Sequence, residues 1–352
     1  MVQMWRRIGW SASLWRLIQV KMVEKPFPIL FITGTRIGDA VLSSGLLKRL
    51  HDEIPDARFT IAAGPPAAPL FADTPNLDAV IVMHKTKRAG HWFKLWRRTR
   101  GRRWGLIVDM RGSGVSRFLR SRKRAIYSRN PADPVVHKVI EAARVLRVED
   151  DPPAPFLFTS PETEAAAEAH LGSARPILAI APGANWVGKT WPAERFAAVA
   201  ARLLAPGGPL PDGRLLILGD AGDREAGQAL RLAVSRDRVI GAPGQLDLLT
   251  TYACLKRARL FIGNDSGATH LAAAAGTPTL GLFGPSDEAR YGPWGPKGRS
   301  VRGPRDLEAI RRIDPDLNQA ICHMFDLQAD VVVDAATRLL ARTEAEMETA
   351  VA

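Results

Sequence analysis

Short apolar runs alternate with amphipathic stretches along most of this chain. Residues 29–33 (ILFIT), 58–62, 79–83, 105–109 and the short run 125–127 read as strands. Between them, residues 39–50, 93–100 and 137–146 place apolar side chains three and four apart, the spacing of helices packed on a sheet. A proline-rich stretch around residues 151–161 interrupts the pattern, which resumes at Pro176. There the reading gives strands at 177–181, 214–218, 239–240, 258–262 and 278–283, and helices at 193–204, 224–234, 246–256 and 268–275. Residues 284–305 read as a Pro/Gly-rich loop and 330–340 as a final helix. Strands alternating with helices predict an α/β protein of two Rossmann-like, doubly wound, mostly parallel domains.

This divides the chain into a first domain at 25–160, a second at 161–325, and a closing helix and tail at 326–352. Residues 1–24 stand apart. Trp5, Ile8, Ala12, Trp15, Ile18 and Met22 recur at helical spacing beside Arg6, Arg7, Arg16 and Lys21. That is the make-up of a basic amphipathic helix on a membrane surface; a disordered extension or a misassigned start fits as well. No apolar run reaches the roughly 18–20 residues that span a bilayer, and residues 5–21 lack the apolar centre of a signal peptide. Cys254 and Cys322 offer neither a disulfide framework nor a metal spacing. The expectation is a protein on the cytoplasmic side, with no metal or cofactor.

Charge changes the picture more. The net charge is +13, and residues 85–129 hold 16 Lys or Arg against one acid, Asp109, so all of the excess lies there. Trp92, Phe93, Trp96 and Trp104 are interleaved with it. Such a segment attracts polyanions: nucleic acid, an anionic membrane or a phosphorylated substrate. A solvated basic face with no partner is the plainer alternative.

The densest chemistry lies in residues 263–286, GNDSGATHLAAAAGTPTLGLFGPS. A strand ends, a polar turn follows, and a small-residue helix begins, so unpaired backbone N–H groups and the positive end of the helix dipole meet at the turn. Ser266 and Thr269 add hydroxyls, and Gly267 lets an anion approach the backbone. A phosphate or diphosphate suits that turn. Simple capping by Asp265 or Ser266, and a structural role for His270, remain open.

This segment, with GTRIGDAVLSSGLLKRL (34–50) and APGANWVGKTWPAERFAAVAARLL (181–204), resembles glycosyltransferase family 9, the lipopolysaccharide heptosyltransferase family. The three motifs stand in the family's order, and the likeness covers roughly residues 28–340. It implies the glycosyltransferase B architecture, with the active site in the cleft between halves and the final helix crossing back to the first domain. It also implies an inverting transferase that moves heptose from a nucleotide donor, with ADP-heptose favoured, to an anionic lipid-linked saccharide at the cytoplasmic face of the inner membrane.

By the same resemblance Asp39, of the Gly38-Asp39 pair, is the proposed base, with helix capping as its plainer role. Lys189, before Trp191-Pro192, is the phosphate-binding lysine. The donor diphosphate would lie between Lys189 and the Ser266, Gly267, Ala268 and Thr269 helix start. Asp265 and His270 would stand near the donor sugar. The nucleoside would lie along residues 219–223 and 244–246, with Asp223 or Glu225 for ribose and Leu246 for the base. Arg36, Arg111 and Arg117 are the candidates for an anionic acceptor. Two readings compete: a nucleotide-sugar epimerase of the same architecture, and a non-enzymatic nucleic-acid-binding protein using the basic segment, although no nucleic-acid partner is expected from any recognised module.

Overall fold

A computed structural model describes residues 26–128, 132–172, 174–241 and 243–351. The amphipathic segment at 1–24 lies outside the described residues. The chain forms two compact units that divide between Phe158 and Thr159. Each is built on its own all-parallel sheet.

The first unit contains β1 (Phe27–Ile32), α1 (Ile37–Leu42), α2 (Ser44–Glu53), β2 (Ala57–Ala63), β3 (Leu77–Val82), α3 (Gly90–Thr99), β4 (Trp104–Asp109), β5 (Ser121–Ile126) and α4 (Lys138–Ala143). The strand order is β3-β2-β1-β4-β5, so the chain reverses direction across the sheet after β3, and β1 and β4 are central. Every residue of β4 is buried, as expected of a strand covered on both faces. The core gathers Leu30, Ile32, Leu95, Trp104 and Ile107. The single helix expected at 39–50 is two. Ser43 breaks it, its hydroxyl donating to the Asp39 and Ala40 carbonyls at 3.1 Å.

The second unit contains α5 (Pro161–Leu171), β6 (Ile177–Ala181), α6 (Ala193–Leu203), β7 (Arg214–Ile217), α7 (Arg224–Ala233), β8 (Val239–Ile240), α8 (Leu248–Leu255), β9 (Leu260–Asn264), α9 (Gly267–Ala274), β10 (Thr279–Phe283), α10 (Glu288–Tyr291), β11 (Gly298–Arg302), α11 (Leu307–Ile313) and α12 (Ala329–Val351). Its sheet runs β11-β10-β9-β6-β7-β8. The final helix packs on α6 and on the β10–β11 side of this unit, burying Val332, Ala336, Leu339 and Leu340 in its core. No helix among the described residues is long and apolar enough to cross a membrane.

Among the elements that escape the hydrophobic pattern, two do so for plain physical reasons. The β11 segment (GRSVR) lies at a sheet edge, paired only with β10, and needs no apolar run. The α5 helix is alanine-rich and buries little beyond Ala167 and Leu171; Ser160, accepting from the Thr163 N–H, and Pro161 begin it.

Charge then fastens α5. Burial raises the pKa of the Glu164 carboxyl, but hydrogen bonds from Lys256, Thr159 and Arg257 outweigh that and bring it down to about 2. The folded value lies below the unfolded one. The stabilisation is therefore complete above the ordinary glutamate range and is lost as pH falls toward about 2. Glu164→Gln should lower the thermal midpoint at pH 7, with the difference closing as both proteins are acidified. Identical midpoints at pH 7 would show that the ion pairs contribute nothing.

Candidate functional site

In the first unit, the loop after β1 brings Gly34 and Thr35 beneath α1. A Cβ on Gly34 would lie 2.8 Å from the Asp39 Cβ, and one on Gly64 would lie 2.7 Å from the Thr35 Cα. The two glycines thus allow the loops after β1 and β2 to close on each other and set the position of α1. The helix is entered at Arg36, an extended N-cap whose side chain makes no capping bond. Asp39 is therefore the third helical residue and not the cap. Its exposed carboxylate makes no hydrogen bond or ion pair with any described residue.

That carboxylate lines a cavity of about 270 Å³ shared with Arg111, Tyr127, Lys138 and Glu141. Tyr127 Oη and Lys138 Nζ both donate to Glu141 Oε1 at 2.7 Å. Arg111 is placed by Asp109, which is fully buried at the end of β4 and accepts from the Arg111 N–H at 3.0 Å and from the Ser113 N–H at 2.9 Å. Asp39 and Arg111 thus line the same cavity. Arg36 and Arg117 are exposed and do not line it. Tyr127, Lys138 and Glu141 are cavity residues that the sequence reading passed over; about a hundred positions separate them from Asp39, and no motif links them.

In the second unit, the polar turn after β9 carries the other cluster. Lys189 Nζ lies 3.2 Å from Asp265 Oδ2, although 76 positions separate them. Asp265 directly precedes Ser266, the N-cap of α9, whose side chain makes no capping bond. Gly267, Ala268 and Thr269 form the first turn, where backbone N–H groups lack intrahelical acceptors. One ammonium and one helix N-terminus are therefore gathered within a turn of each other. His270 is buried behind Asp265, with Nε2 3.8 Å from Oδ1, beyond hydrogen-bond distance.

Thr269 needs a correction. Its hydroxyl, expected in the anion site, is fully buried and donates to the Asn264 carbonyl at 2.5 Å. Thr269 can offer an incoming anion only its backbone N–H. Asn264, which the sequence reading treated merely as part of a polar turn, is the organiser of the cluster. Its Oδ1 accepts from the Trp191 N–H at 3.1 Å and its Nδ2 donates to the Pro182 carbonyl at 2.7 Å.

The lysine loop is held from its other side too. The His323 N–H donates to the Gly188 carbonyl at 3.0 Å, and the Trp191 indole donates to the Leu327 carbonyl at 3.0 Å. Trp191 is a core residue, packed edge-on against Phe196.

The expected nucleoside residues are occupied with one another. Asp220 accepts from the Gly222 N–H, and Asp223 Oδ2 accepts from the Asp220 N–H at 2.9 Å. Burial pushes the Asp223 carboxyl upward; it lies so close to Gly183 that a Cβ there would come within 2.0 Å of it. Asp223 thus braces the loops after β6 and β7. Glu225 is exposed in the first turn of α7. Leu246 lines a small depression with His170, Gly219, Gly241 and Thr251.

Residues 76–317 match the model of glycosyltransferase family 9 (heptosyltransferase). The chain is 24% identical over 325 residues to lipopolysaccharide heptosyltransferase 2 of Escherichia coli K12, covering 81% of this chain and 91% of that one. It is 27% identical over 297 residues to lipopolysaccharide heptosyltransferase 1 of Pseudomonas aeruginosa, covering 76% and 81%. Among solved structures, a family 9 glycosyl transferase from Veillonella parvula superposes with a TM-score of 0.72 at 21% identity, over 92% of this chain and all of that one. The E. coli ADP-heptose lps heptosyltransferase II gives 0.70 at 22% identity, over 90% and 99%.

Proposed function

Because the chain belongs to glycosyltransferase family 9, we propose that it transfers heptose, with inversion, from ADP-heptose to an anionic lipid-linked saccharide of the lipopolysaccharide core. The relatives' names support a heptosyl group and a lipopolysaccharide acceptor. The observation that carries the donor half is the Lys189–Asp265 pair beside the first turn of α9. A diphosphate leaving group gains one further negative charge, on its terminal phosphate, that needs stabilising as the bond to the anomeric carbon breaks. Lys189 has three N–H donors, so it can keep Asp265 and still bind a phosphate oxygen. The backbone N–H groups of Gly267, Ala268 and Thr269 supply further donors, as helix starts do for phosphates elsewhere.

The acceptor half belongs to the first unit. An acceptor hydroxyl becomes nucleophilic as its proton passes to a carboxylate within hydrogen-bond reach. Asp39 has that role in this reading, its oxygens being uncommitted. Arg111 and Lys138, in the same cavity, suit an acceptor that carries phosphate or carboxylate groups. Work on a lipid-linked acceptor would keep the protein peripheral to the cytoplasmic face of the inner membrane.

Calorimetric titration with ADP, UDP, GDP and CDP tests the donor. Selective ADP binding is expected, and Lys189→Ala should weaken it about 10- to 150-fold, the worth of a charge-assisted hydrogen bond at roughly 1.5–3 kcal/mol. Preference for another diphosphate would change the sugar donor. Unchanged ADP affinity in the variant would remove Lys189 from the site.

A further inference from the structure

We propose that the outer face of α3, with the adjoining turn Gly114–Phe118, is a docking surface for an anionic lipid bilayer. This deepens the functional reading, since it concerns how a lipid-linked acceptor is met. Leu95 and Thr99 turn inward on α3. On the other side, Phe93 is 61% exposed amid Lys94, Arg97 and Arg98, which are exposed as well. The Gly114–Phe118 turn packs on α3 and holds out Phe118, 79% exposed.

Isolated exposed phenylalanines are ordinary; their setting here is not. None of Lys94, Arg97 and Arg98 makes an ion pair with any described residue. The single acid of the basic segment, Asp109, is fully buried and bound by its own loop. It contributes nothing to the surface. Nearby, Asp78 is taken by Arg58 and Arg102. What remains is a helix face of unopposed cations around an apolar ring, the pairing that binds headgroups by charge and the acyl boundary by burial.

The ring geometry favours lipid over nucleic acid. Base stacking needs open aromatic faces. Phe93 is stacked on Trp96, with centroids 5.7 Å apart and planes 29° apart, and Arg100 covers Trp96 at 4.7 Å. Arg111 covers Trp92 at 5.1 Å. Phe93, Trp96 and Trp92 thus each have a ring or guanidinium neighbour, and no run of open rings is left for successive bases, whereas the exposed parts of Phe93 and Phe118 suit shallow insertion. Arg111, which lines the Asp39 cavity, also lies over Trp92 of the same helix, so that the cavity and α3 are neighbours. A saccharide whose lipid stays in the bilayer would meet the cavity beside the docked face.

Sedimentation of the full chain with vesicles tests this. Binding is expected to vesicles of phosphatidylglycerol and phosphatidylethanolamine but not to phosphatidylcholine alone. The double variant Arg97→Glu/Arg98→Glu should lose at least tenfold in affinity, at about fivefold per basic residue, and Phe93→Ser a further several-fold. ADP affinity and thermal midpoint should stay at wild-type values in both. Wild-type vesicle binding in the variants would overturn the surface and move any membrane affinity elsewhere. Single-stranded DNA binding lost in the variants, with no vesicle binding by the wild type, would overturn it in favour of nucleic acid. Vesicle binding as expected with no binding of any nucleoside diphosphate would keep the surface and sink the donor assignment.

Discussion

Asp39→Asn should lower heptosyl transfer by about 100- to 10,000-fold, the range for loss of a general base, while ADP affinity and the thermal midpoint stay at wild-type values. The separation of effects follows from the geometry. Asp39 is an exposed third residue of α1 whose carboxylate bonds to nothing else described, so replacing one oxygen by an amide removes no structural contact. A capping aspartate would behave differently, because its loss costs about 1 kcal/mol of stability. The donor cluster belongs to the second unit and Asp39 to the first. Turnover with ADP-heptose and a lipid-linked acceptor, read beside calorimetry with ADP, decides it. Transfer within tenfold of wild type would remove Asp39 as the base. A large loss of ADP affinity would assign it to the donor and leave the base unidentified.

The sequence alone carried the framework of both units wherever burial on two faces forces continuous apolar runs. Residues 177–181 and 239–240 were legible to the residue. It lost elements whose stability comes from other sources, the charged edge strand β11 and α5, held by its cap and by the Glu164 ion pairs, and it found only the end of the charged edge strand β5. In the candidate site, Lys189, Asp265 and the α9 helix start could be read because motifs mark them. The function of a hydroxyl could not. Thr269 and Ser266 are both small, polar and beside the same turn, yet one is buried on the Asn264 carbonyl while the other caps the helix without a side-chain bond. Nor could local pattern show Tyr127, Lys138 and Glu141 around Asp39, since only the parallel sheet order brings the ends of β1, β4 and β5 side by side.

Asn264→Ala is expected to damage structure and donor binding together, in contrast to Lys189→Ala. The Asn264 side chain is fully buried and joins two segments, the Pro182 carbonyl after β6 and the Trp191 N–H after the lysine loop. Truncation leaves that carbonyl and that N–H without their partner in a dry interior, at about 1–3 kcal/mol each. The sum of about 2–6 kcal/mol should lower the midpoint of the second unit by roughly 5–20 °C. Restoring shape without the donor does not rescue it: Asn264→Asp keeps an acceptor for Trp191 but sets a carboxylate against the Pro182 carbonyl. Lys189 is mostly buried and, among the described residues, bonded through its side chain only to Asp265, which is buried too; Lys189→Ala strands one carboxylate but leaves the joints at Pro182 and Trp191 made, so its midpoint should fall by less than that of Asn264→Ala. Thermal unfolding of both variants, followed by ADP titration below the lower midpoint, separates the roles. An Asn264→Ala protein with a wild-type midpoint would mean that the Lys189 loop is held by His323 and Leu327 alone, and that the buried amide does not set the geometry of the phosphate site.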